Sequence, residues 1–114
     1  MKNETITVEK PWGKFEQYSH NEKSTVKIIS VHEGGILSLQ SHENREELWV
    51  ALDEGLTAII NGKEVLLAKG QTAFIPKKTK HRIKASKDAR FLEISFGEFD
   101  ENDIIRYEDK YNRV

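Results

Sequence analysis

The stretch Gly34-Gly35-Ile36-Leu37-Ser38-Leu39-Gln40-Ser41-His42-Glu43-Asn44-Arg45-Glu46-Glu47-Leu48-Trp49 decides how this chain of 114 residues is read. Its first half alternates. Leu37 and Leu39 share one face of a strand, and Ile36, Ser38, Gln40 and His42 share the other. A polar turn, Glu43 to Glu46, then reverses the chain, and the next strand carries Glu47, Trp49 and Ala51 on one face. An antiparallel return sets Glu47 beside His42. With His81 on a later strand, an amide oxygen, two imidazoles and a carboxylate can converge. Together they form a workable mixed nitrogen and oxygen shell for a first-row divalent ion.

Working outward, the same alternation recurs. Thr5–Val8, Lys14–Tyr18, Thr25–Val31, Leu56–Ile60, Lys63–Leu67, Thr72–Ile75, His81–Ala85 and Phe91–Phe96 read as short strands between turn signals. Asn61-Gly62 is a two-residue hairpin loop whose residues accept positive φ. The fold class is therefore all-β, a sandwich or barrel, with edges closed by the barrel or by a second subunit. Near the end, Asp100-Glu101-Asn102-Asp103 reads as a helix N-cap with an acidic third residue, which predicts a short helical C-terminal tail.

Composition narrows the function. Lys plus Arg number 18 and Asp plus Glu 19, a net charge of −1, which argues against a nucleic-acid binder. Cys is absent, so neither disulfides nor thiol chemistry is available, and metal ligands must come from four His, from carboxylates or from amides. No apolar run is long enough to span a membrane, and Met1-Lys2-Asn3-Glu4 is no signal peptide, so a cytoplasmic protein is expected.

Two motifs carry a family resemblance. Gly34, Gln40, His42, Glu47 and Gly55 resemble the first cupin motif, with Gln40 in place of its first His. Gly70, Pro76, Lys78 and His81 resemble the second. Lys10-Pro11-Trp12-Gly13, Lys27, the segment Leu37 to Trp49, Phe74-Ile75-Pro76, His81-Arg82 and the ending Asp103 to Arg113 look like the cupin domain of type II mannose-6-phosphate isomerases. Asn44, Leu48 and Asn112 depart from that pattern. The resemblance implies a small antiparallel, jelly-roll-like cupin barrel over residues 1–114 as a single domain. It implies one divalent metal ion held by Gln40, His42, Glu47 and His81, with zinc placed ahead of manganese, iron or cobalt. It implies interconversion of mannose 6-phosphate and fructose 6-phosphate through a cis-enediolate. A non-catalytic metal- or sugar-binding cupin, or a cupin enzyme of other chemistry, is the alternative. The nucleotidyltransferase domain of the bifunctional members is not expected in a chain filled by the barrel.

Other residues are candidates around this frame. Lys27 shares a face with Ile29 and Val31. It is a catalytic acid or base if that face points inward and a surface lysine if it does not. Arg45, in the turn between two ligands, is a candidate for both catalysis and phosphate binding, and Lys78, Lys80 and Arg106 are further candidates for a sugar phosphate. Arg113 extends that set. Leu92, Ile94 and Phe96 read as the apolar face of their strand, which turns Glu93 to solvent. Trp49 reads first as core, Trp12 as an edge or dimer contact, and His20 and His32 as bystanders. A homodimer is expected.

Overall fold

The computed structural model describes residues 5–111. The signal-peptide reading at Met1 to Glu4 and the phosphate reading at Arg113 fall outside the described residues. Eleven strands follow one another: β1 (Ile6–Lys10), β2 (Gly13–Gln17), β3 (Ser24–Val31), β4 (Leu39–Ser41), β5 (Glu46–Ala51), β6 (Leu56–Ile60), β7 (Lys63–Leu67), β8 (Thr72–Ile75), β9 (His81–Ala85), β10 (Ala89–Phe96) and β11 (Ile105–Glu108). All pairings are antiparallel. Three sheets result, in the orders β1-β2, β3-β10-β5-β8 and β11-β4-β9-β6-β7.

The two larger sheets share one core, built from Trp49, Phe91 and Ile75 of the four-stranded sheet and Leu56, Leu67 and Ile83 of the five-stranded one. Each sheet keeps its own edges, so the expected barrel is an open two-sheet jelly-roll rather than a closed cylinder. The hairpin at Asn61-Gly62 is as expected, with φ of 51° and 81° at its two residues.

The C-terminal tail corrects the sequence reading. Among the described residues there is no helix. Asp100 to Asp103 forms a turn closed by the Asp103 amide on the Asp100 carbonyl at 3.0 Å, and the chain continues as β11 beside β4. Ile104, Ile105 and Tyr107 favour a pleated surface. The carboxylate that looked like a helix cap is used elsewhere: Asp103 accepts from the amides of Glu43 and Asn44 at 2.9 and 3.0 Å. A cap signature is local, and here a distant loop claims it.

Candidate metal centre

Register brings the motif residues together. Gln40 on β4 pairs with His81 on β9, Glu47 on β5 pairs with Ser95 on β10, and His42 follows β4 directly. The ligand atoms of His42, Glu47 and His81 lie within 4.8 Å of one another, and all three side chains are buried. His42 Nε2 is 3.3 Å from one oxygen of Glu47 and His81 Nε2 is 3.8 Å from the other.

Each imidazole is oriented from behind. His42 Nδ1 donates to the Asp103 carbonyl at 2.7 Å and His81 Nδ1 to the Thr79 carbonyl at 2.8 Å. That tautomer leaves both Nε2 lone pairs facing the Glu47 carboxylate, the arrangement of a metal-binding histidine. Burial pushes the His81 pKa down, against the opposing pull of the Thr79 carbonyl and Glu47, so the ring is kept neutral as a ligand must be. Gln40 spends its amide nitrogen on Ser38 Oγ at 3.0 Å, which leaves its oxygen as the donor for a cation. Two imidazole Nε2 atoms and a carboxylate that face one another in a buried cluster suit a positive charge, so the donor set fits a metal ion.

Arg45 already supplies some of that charge. Its Nε donates to Glu47 at 3.1 Å and its Nη2 to His42 Nε2 at 3.4 Å, while Nη1 reaches the Asp100 carbonyl at 3.1 Å. The guanidinium lies over the Phe99 ring at 4.5 Å. Trp49 Nε1 donates to Glu47 at 3.2 Å, and its ring packs on Phe91 and His81. The core reading of Trp49 holds, and the same residue also holds the carboxylate.

Beside this cluster lies a cavity of about 320 Å³ whose wall carries Lys27, Gln40, Arg45, Glu93, Phe99 and Arg106. The inward reading of Lys27 is the observed one. It is half-buried, with Nζ 4.2 Å from the Phe99 ring centre and 3.5 Å from Glu101. Arg106, paired with Gln40, presents a buried Nε that has no hydrogen-bond partner.

Glu93 corrects the sequence reading. It pairs with Lys27 on one side and Trp49 on the other, and so faces the cavity. Burial, then the Glu47 charge, pushes its pKa up to about 7. Leu92 and Ile94 do form an apolar row, but on the outside of the sheet. A usable signal was Lys27: residues paired with it share its face.

Lys78 and Lys80 are not brought to the cavity wall. Lys80 Nζ lies 4.3 Å from the Tyr107 ring centre and lines a separate depression with Leu39 and Ile59. The Lys78 side chain is exposed. Its contribution is its backbone, which takes φ of 61° and donates to the His42 carbonyl at 2.7 Å. His20 and His32 are exposed and away from the cluster, as expected.

Two facing β-sheets with a buried His, Glu and His cluster at the strand ends define a cupin. More narrowly, the chain belongs to the family described as "Mannose-6-phosphate isomerase C-terminal", which matches residues 1–109. It is 36% identical over 111 residues to the xanthan biosynthesis protein XanB of Xanthomonas campestris pv. campestris, covering 94% of this chain and 24% of that protein. It is 34% identical over 110 residues to the mannose-1-phosphate guanylyltransferase ManC of Salmonella typhimurium, covering 94% of this chain and 23% of that protein. The chain thus spans about a quarter of the length of these curated relatives. In fold it is similar to the capsular polysaccharide assembling protein CapF of Staphylococcus aureus, with a TM-score of 0.68, 15% identity and coverage of 92% of this chain and 34% of that one.

These relatives overturn the isomerase expectation. The activity printed in the name of the Salmonella relative is guanylyl transfer, not aldose–ketose interconversion, although the family description carries the isomerase's name. Two of the departures from the isomerase pattern are explained locally. Leu48 faces away from the cavity into a second apolar cluster, and Asn44 is an exposed loop residue whose amide serves Asp103. No helix among the described residues is long and apolar enough to cross a membrane.

Proposed function

We propose that this chain is a cytoplasmic, single-domain cupin unit that holds one divalent metal ion and binds a phosphorylated sugar of the mannose type. The ligands in this reading are Gln40, His42, Glu47 and His81, with zinc first among the metals and manganese, iron or cobalt behind it. When bound, the ion would supply Lewis acidity toward sugar hydroxyl or carbonyl oxygens. Lys27 and Arg106 would receive the phosphate and Arg45 would balance the charge of Glu47. The observation that carries this reading is the adjacency of the His, Glu and His cluster to a cavity whose wall holds an unpartnered, buried Arg106 Nε. A buried guanidinium donor without an acceptor is costly and suits an incoming anion. The mannose unit is favoured by the guanylyltransferase relative and the polysaccharide context by the xanthan relative.

Calorimetric titration tests it. Metal-free chain should take up one equivalent of zinc, and the loaded chain should then bind mannose 1-phosphate or mannose 6-phosphate but not mannose. Arg106→Ala should weaken sugar-phosphate binding about tenfold, one charge-assisted hydrogen bond's worth, while zinc uptake stays intact. Loaded chain that gives no heat with either sugar phosphate would end the ligand reading.

A further inference from the structure

Segment 97–103, between β10 and β11, forms part of the cavity wall and is pinned at both ends. At its start Gly97 takes φ of 88°, its amide donates to the Lys23 carbonyl at 2.9 Å, and Glu98 pairs with Lys23 at 2.8 Å. At its end Asp103 accepts the Glu43 and Asn44 amides, while the Asp100 carbonyl accepts from the Asp103 amide and from Arg45. Between these anchors the Phe99 ring meets Lys27 and Arg45. The backbone is thus held on either side of Glu101.

The Glu101 side chain is not held in the same way. It is 79% exposed, yet it turns back to the cavity wall and sets Oε1 3.5 Å from Lys27 Nζ. Among the described residues this is the one ion pair that Lys27 forms. The three cations of the wall therefore differ in what they already hold. Arg45 is committed to Glu47 by a buried contact of 3.1 Å. Arg106 presents a buried Nε with no partner. Lys27 lies between the two, with a solvated carboxylate at the far limit of hydrogen-bond distance. Such a pair is weak, and a phosphate monoester, with close to two negative charges near pH 7, is the stronger acceptor.

We infer that Glu101 is a built-in stand-in for the phosphate of the ligand, occupying Lys27 until the phosphate arrives and then swinging out to solvent. The inference rests on the sugar-phosphate reading of the same cavity. The anchors on both sides mean that one side chain moves and the segment stays. Each binding event must first break the Lys27–Glu101 pair, so the chain holds its ligand less tightly than its cations alone would allow.

Titration calorimetry of the zinc-loaded full chain with mannose 6-phosphate and with mannose 1-phosphate, at about 0.15 M salt, tests it. Glu101→Gln should tighten binding about three- to fivefold, the size of an exposed ion pair, with zinc uptake unchanged. Glu98→Gln removes the same charge from the same segment, but from a pair with Lys23, and should change binding by less than about twofold at this ionic strength. The double variant Lys27→Gln/Glu101→Gln should bind no tighter than Lys27→Gln alone. Equal binding by the parent and Glu101→Gln overturns the stand-in and leaves the sugar-phosphate reading intact. So does an equal gain from Glu98→Gln, or a gain that persists without Lys27. No heat from the parent and Glu101→Gln alike overturns both.

Discussion

The two faces of the four-stranded sheet invert the usual division of labour. Its inner face, along β3, β10 and β5, carries Lys27, Glu93 and Glu47 among Trp49, Ile29 and Phe91. Its outer face carries Val26, Ile28, Leu92, Ile94 and Leu48. Charge sits inside because a cavity and the buried His42, Glu47 and His81 cluster sit inside. On the outside, Tyr18 covers part of the apolar surface and Val26 and Ile28 leave the rest exposed. Alternation therefore separates two faces without saying which is interior, and a functional site can reverse the answer.

The sharpest way to break this comparison is Trp49→Ala, on the inner face. Trp49 is 1% exposed, packs on Phe91 and His81, and holds Glu47. The cavity and the lost hydrogen bond should cost about 3–5 kcal/mol. Urea unfolding measures this, and a loss below about 1 kcal/mol would mean that the core is elsewhere.

Next in size is Glu93→Gln, which tests whether the inner face really buries a carboxyl. The Glu93 pKa is raised from 4.5 to about 7 in the folded chain. As pH climbs through that window the unfolded chain gives up the proton first, so folding weakens. The penalty is absent below the lower value and complete above the upper one. Metal-free Glu93→Gln should thus match the parent near about pH 4 and exceed it by a few kcal/mol near about pH 8. A variant less stable than the parent at the higher pH would mean that Glu93 is a solvated or paired carboxylate.

Smallest is Ile28→Thr on the outer face. In a monomeric sample it should change unfolding free energy by no more than about 0.5 kcal/mol, since the side chain is already in water. A loss of several kcal/mol under those conditions would show that the outer face is covered within one chain.

Much of the fold was legible in the sequence because strands announce themselves by alternation and by turn residues such as Asn61-Gly62. The clustering of His42, Glu47 and His81 was legible because strand alternation set Glu47 beside His42 and the resemblance to the two cupin motifs added His81. What escaped has a common cause. Glu93, Lys80 and Asp103 take their roles from residues far away in sequence. The apolar neighbours of Glu93 on β10 form an outer surface, which puts Glu93 itself on the inner one. Lys80 sits two residues from β9's Arg82 in a depression of its own. Asp103 carried a helix-capping signature that loop amides 59 and 60 residues earlier took over. The isomerase reading rested on resemblance, and the relatives' own names corrected it.

The turn at Asp100 to Asp103 has a consequence for the order of events when this chain is made. His42, Glu43, Asn44 and Arg45 all bond to Asp100 or Asp103. The His42 ring is oriented by a carbonyl 61 residues further along. Contacts that close such long loops form late. On a ribosome, the two sheets could begin to collapse while the histidine still swings freely. Only when the turn carrying Asp100 and Asp103 emerges and docks would the ring be set. The geometry of the buried cluster would then wait on the docking of that turn.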